Sequence, residues 1–74
     1  MTAAAFSLVS ADDHDKVFAF GIDIDLPSGR EAITFRREAD GRTVFGVHES
    51  AEAARLRFSR LVPLDLVWEA TASR

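Results

Sequence analysis

Asp12-Asp13-His14-Asp15 is the densest run of potential ligands in the chain. Carboxylate oxygens and an imidazole suit a divalent cation. Consecutive residues of one short loop seldom converge on a single ion, however. Their spacing fits neither a calcium-binding loop between helices nor a pair of histidines one helical turn apart. The run reads as a solvated turn. His48-Glu49 offers a second chemistry, a general base oriented by a carboxylate. The chain has no cysteine or tyrosine to act with it, and no serine stands in a nucleophile-elbow context. Asp23 and Asp25 fall on one face of a strand, the spacing of a paired acid and base. With Arg36 diagonal to Asp23, a cross-strand ion pair is the simpler expectation. The four glycines are scattered, so no phosphate-cradling loop is present. These residues point away from catalysis, and no cofactor or metal is expected.

The arginines raise a different possibility. The stretch TFRREADGRTVF, residues 34–45, sets three of them around an Ala-Asp-Gly tip. Arg36 and Arg37 are adjacent on a strand and point to opposite faces, so only one can share a patch with Arg42. Arg55, Arg57 and Arg60 are spread around a helix, with Glu31, Glu38, Glu49 and Glu52 interleaved. A phosphate grip needs several cations on one face, and single-stranded nucleic acid needs exposed aromatics. The aromatics here alternate inward, and the net charge of −3 is unlike that of a dedicated nucleic-acid binder. A regulatory protein using Arg36, Arg42, Arg55 and Arg60 on nucleic acid is the alternative reading.

The elements that carry these residues follow from periodicity. Phe18, Phe20, Ile22, Ile24 and Leu26 alternate with small or acidic residues, a strand with one buried face. Pro27-Ser28-Gly29 breaks it. Matching apolar faces across that turn sets Ile24 opposite Ile33 and Ile22 opposite Phe35. The next turn reads more sharply. A two-residue Asp40-Gly41 loop would mix the faces. A three-residue loop, Ala39-Asp40-Gly41 with Gly41 left-handed, pairs Phe35 with Phe45, Ile33 with Val47 and Arg36 with Val44. Phe6 to Val9 gives another strand. Beyond Val47 the period changes to that of a helix. Ser50 serves as N-cap, Glu52 sits in the first turn and Arg60 in the last, and Ala51, Ala54, Phe58 and Leu61 form one stripe. Pro63 ends it, and Leu64, Leu66 and Trp68 resume period two.

The expected fold is α+β: a small antiparallel β-meander of four to five strands, order β-β-β-β-α-β, with one helix on its apolar face. Residues 1–74 make a single domain, with a frayed tail at about 70–74. The last strand joins beside either the first or the fourth. The expected core is Phe6, Leu8, Phe18, Phe20, Ile22, Ile24, Ile33, Phe35, Phe45, Val47, Ala54, Phe58, Leu61, Leu64, Leu66 and Trp68.

Composition bounds the rest. Seventy-four residues, 47% hydrophobic and 28% charged, describe an ordinary small globular chain. With no cysteine there is neither a disulfide framework nor a thiolate zinc site. That favours a reducing cytoplasm, or stabilisation by self-association or a larger partner. The opening MTAAAFSLVS lacks the basic and apolar regions of a signal peptide, and no apolar run approaches a membrane span. Eight of the nine basic residues are arginine and alanine is abundant, which a G+C-rich bacterial coding bias explains.

The leading functional expectation is a small cytoplasmic accessory or adaptor protein that binds protein, without catalysis of its own. The partner is another protein or a second copy in a homodimer, with no membrane and with nucleic acid disfavoured. The expected surface is the outer sheet face of small residues rimmed by charge: Ala19, Gly21, Ala32, Thr34, Arg36, Val44 and Gly46. Leu56 on the helix forms a separate contact.

Overall fold

The computed structural model describes residues 2–69, and the expected frayed tail lies outside them. The elements run β1 Thr2–Ser10, β2 Val17–Leu26, β3 Gly29–Arg37, β4 Thr43–His48, α1 Ala51–Phe58 and β5 Leu64–Trp68. All neighbours pair antiparallel in one sheet of order β4-β3-β2-β1-β5, with α1 packed on one side. The last strand therefore lies beside the first. The α+β meander is as its period-two and helical segments predict.

Turn chemistry sets the hairpins. Gly41 has φ +91° and its N–H donates to the Glu38 carbonyl at 2.9 Å, closing the three-residue loop. Phe35 pairs with Phe45, Ile33 with Val47 and Arg36 with Val44, as expected. The β2–β3 hairpin is tighter than the apolar matching implied. Leu26 pairs with Gly29 across Pro27 and Ser28, so Ile22 faces Ile33 and Phe20 faces Phe35. The register moves by two residues, which keeps every side chain on its face.

Helix α1 is nucleated by its cap. The Ser50 hydroxyl accepts from the Ala53 N–H at 3.0 Å, and Glu52 lies in the first turn. The helix ends at Phe58, and turns through Val62 carry the chain to Pro63. Leu61 lies beyond the helix and is exposed, outside the core expected to hold it.

The principal correction concerns which face α1 covers. Phe6 of β1 pairs with Gly21 and Leu8 with Ala19, so the β1 apolar residues share a face with the small residues of β2. The same face carries Ala32 and Thr34 of β3 and Leu64 of β5. Phe6, Leu8, Ala19, Ala32, Ala51, Ala54 and Leu64 form the core, with Phe18, Phe58 and Leu66 packed on it. Small residues of the helix thus meet small residues of the sheet, and the two backbones approach closely. Phe20, Ile22, Ile33, Phe35, Phe45 and Val47, expected beneath the helix, stand on the other face. The cause is a β-bulge. Leu8 pairs with Ala19 but Val9 with Val17, leaving Phe18 as the extra residue of β2. Phe18 then packs on Phe58 of the helix, ring centroids 5.3 Å apart.

Asp23, placed by its register on the helix side, locks α1 to the sheet. Its Oδ2 accepts from the buried Ala51 N–H at 2.9 Å, and its Oδ1 lies 3.4 Å from Arg30 Nε. Arg30, not Arg36, is its cross-strand partner. Asp23→Ala leaves that N–H buried without an acceptor and should cost about 1.5–3 kcal/mol. Asp23→Asn keeps an acceptor oxygen and should retain most of the stability. Urea melts followed by circular dichroism check the order wild type, Asn, Ala; equal midpoints for all three would remove the locking role.

Candidate functional site

Strand alternation and the three hairpin registers build one surface from the bottom up. On the face away from α1, two rows run across the strands. One holds Val47, Ile33 and Ile22, continuing to Ala5 on β1. The other holds Phe45, Phe35 and Phe20, continuing to Ser7 and to Val67 on β5. Phe20 and Phe35 stack with centroids 5.7 Å apart, and Phe35 meets Phe45 at 6.4 Å. The face is open over β4, β3 and β2, whereas at its β1 end Ser7 and Val9 are buried, with His14 of the 11–16 loop reaching Asp65 beside Val9. Phe45 is 71% and Val47 67% exposed, while Phe20, Ile22, Ile33, Phe35 and Val67 are each exposed by more than a third.

A phenylalanine presents ~200 Å² in full and an aliphatic side chain somewhat less, so these seven show on the order of 600 Å². That is at the top of the range for the largest apolar patch on a monomer. Charge flanks it along β3, where period two puts Glu31 before Ile33 and Arg37 after Phe35 on the same face. At the β5 rim the Ser7 hydroxyl donates to Glu69 Oε2 at 2.7 Å.

The small-residue surface expected to bind a partner lies elsewhere. Ala19, Gly21, Ala32 and Thr34 are buried under α1, so they are core and not an outer face. Arg36, Val44 and Gly46 share that helix side toward the β4 edge. Arg36 pairs with Glu38, and its guanidinium lies 5.3 Å from the Phe18 ring centroid and 5.9 Å from that of Phe58. Leu56 is exposed on the outer side of the helix, near exposed Leu61. Period two identified which residues share a face. The missing signal was the phase of β1 against β2, since Phe6 can fit only over a glycine.

The other candidates are tied up locally. The Asp15 N–H donates to Asp13 Oδ1 and the Asp12 N–H to the Ser10 hydroxyl. His14 Nε2 lies 2.7 Å from Asp65 Oδ2, joining this loop to β5. Among the described residues no three metal-ligating side chains gather. His48 sits on the helix side, not on the face away from it. Its Nε2 is 3.0 Å from Thr34 Oγ1 and its ring stands edge-on to Phe58. Burial, and then the nearby Arg57 charge, hold its pKa below the ordinary value. Arg42 pairs with Asp40 and Arg55 with Glu52. The Glu52 hydrogen bond raises the Arg55 pKa and lowers that of Glu52. None of the described helices is long and apolar enough to cross a membrane.

No protein-family model, curated protein or solved structure matches this chain, and its own surfaces are what bear on function.

Proposed function

We propose that the chain is a small accessory or adaptor protein that acts by binding protein through the open face of its sheet, without catalysis of its own. One observation carries this reading: a contiguous face of three phenylalanines and four aliphatic residues left uncovered by the described chain. Leaving such an area in water is costly, at roughly 25 cal/mol for each Å². A protein surface that covers it recovers that free energy. Against an enzyme reading, His14 is held by Asp65, Asp13 by the Asp15 N–H, Asp23 by the Ala51 N–H and Arg30, and His48 by Thr34. The nucleic-acid alternative also has weaker support. Arg36, Arg42 and Arg55 each have a carboxylate partner, and no line of cations crosses the aromatic face. The partner is a second copy or another protein. The absence of cysteine suits a reducing cytoplasm.

A photo-crosslinking amino acid at Val47 tests the reading in cells. Its side chain points into the open face and is well exposed, so the substitution leaves the core intact. Irradiation should yield a protein adduct, whose mass identifies the partner. The same group at Asp12, in the loop beside the sheet, should yield none. Adducts at Asp12 alone, or nucleic acid as the captured species at Val47, would overturn the proposal.

A further inference from the structure

Resting on that reading, we infer that the occupant of the open face is a second copy of this chain, stacked face to face about a two-fold axis that runs across the strands. Charge and side-chain size both select this arrangement. The row Gly46, Thr34, Gly21, Phe6 and Trp68 is one line of paired residues across the sheet. An axis lying between two sheets and over this row stacks each strand on its own copy with its direction reversed. Residues one step to either side of the row then exchange places. Phe35 lies over Ile33 of the second copy, Phe20 over Ile22 and Phe45 over Val47. On β4, β3 and β2 large rings meet smaller aliphatic side chains, as interdigitation in a sandwich requires, while Ala5 meets Ser7 on β1 and Val67 meets Glu69 at the β5 rim.

The charges follow the same rule. Glu31 and Arg37 lie three residues to either side of Thr34 on one face of β3. Reversal therefore puts each Arg37 over the Glu31 of the other copy, twice by symmetry. The usual rotation of about 30° between packed sheets displaces these ends by only about 5 Å, within reach of an arginine. An axis parallel to the strands would instead set Arg37 over Arg37 and ring over ring, and like charges face to face are disfavoured. Area is consistent as well. A stable interface takes about 800 Å² from each partner. The apolar rows supply most of it, and the charged rim supplies the rest.

Light scattering behind gel filtration, at micromolar concentration, should give twice the 8.1 kDa mass of one chain. Phe45→Asp should return it to monomer, with an unchanged far-ultraviolet circular dichroism spectrum because Phe45 is mostly exposed. Arg37→Glu and Glu31→Arg should each weaken the dimer about 10–100-fold, and the double variant should recover to within about threefold of wild type. A wild-type dimer that survives Phe45→Asp, or single reversals with no rescue in the double variant, would overturn the arrangement. A wild-type monomer would overturn the second copy as occupant. In that case a different protein crosslinked at Val47 would leave the binding function standing, and no adduct would remove both.

Discussion

Phe6→Ala should lose about 3–5 kcal/mol of folding stability, the usual range for removing a buried aromatic ring. Phe6 is 1% exposed, and among the described residues it and Leu8 are the large side chains that are fully buried. Its ring fills the space over Gly21 and meets Trp68 edge-on at 5.8 Å. Domains carry roughly 0.05–0.15 kcal/mol of stability per residue, so this single truncation consumes a large part of the total. A core built mostly of alanine has few long side chains that could relax into the cavity. Urea unfolding followed by circular dichroism should show a midpoint moved far toward zero denaturant. A loss below about 1.5 kcal/mol would mean that the small-residue core is not what holds the sheet to α1.

The second large effect is the reverse insult at the same place. A Cβ at residue 21 would lie 2.3 Å from Phe6 Cζ, 2.7 Å from its Cε1 and 2.9 Å from the Ile33 carbonyl oxygen. The ring is enclosed and the carbonyl belongs to the β2–β3 ladder, so neither moves freely. Gly21→Ala should therefore cost on the order of 3 kcal/mol, at the upper end for an overpacked core. Its backbone conformation is not the cause, since Gly21 is not among the glycines with positive φ. The clash predicts a specific partner. In the Gly21→Ala/Phe6→Leu double variant, the shorter side chain withdraws the atoms that collide. The double variant should be less destabilised than the sum of its singles by about 1 kcal/mol or more. Strict additivity would show that the two positions do not share the space between β1 and β2.

These two residues also mark the boundary of what the sequence discloses. The β3–β4 hairpin is legible to the residue, because Gly41 and the alternation of Ile33, Phe35, Phe45 and Val47 admit one bulged loop only. The helix start is legible from Ser50, and the meander from its turns. The β2–β3 register is legible in face but not in position, since moving by two residues leaves the pattern unchanged. The phase of β1 against β2 is not legible from periodicity. Residues 11–16 form a connection without a fixed turn type, and the bulge at Phe18 then adds one residue to a single strand. One residue is enough to exchange the faces. The usual preference of phenylalanine and isoleucine for the interior assigns them to the helix side. In this chain that preference misplaces the candidate site, because the bulky face is the one left exposed. The clue that survives in the sequence is steric: Ala19, Gly21, Ala32, Ala51 and Ala54 are small enough to let a helix backbone lie close to a sheet.

Trp68 is the single tryptophan and the chain has no tyrosine, so its indole dominates the near-ultraviolet fluorescence. That indole stands half-exposed against the Phe6 ring, on the helix side of β5, with the sheet between it and the stacked phenylalanines. Emission colour and quenching therefore report on the packing of Phe6 and on the docking of the last strand. Partner binding on the opposite surface leaves the indole in the same surroundings. The molecule thus carries an optical probe of its own interior, insulated from the open face, and folding can be followed separately from the proposed association without adding a label.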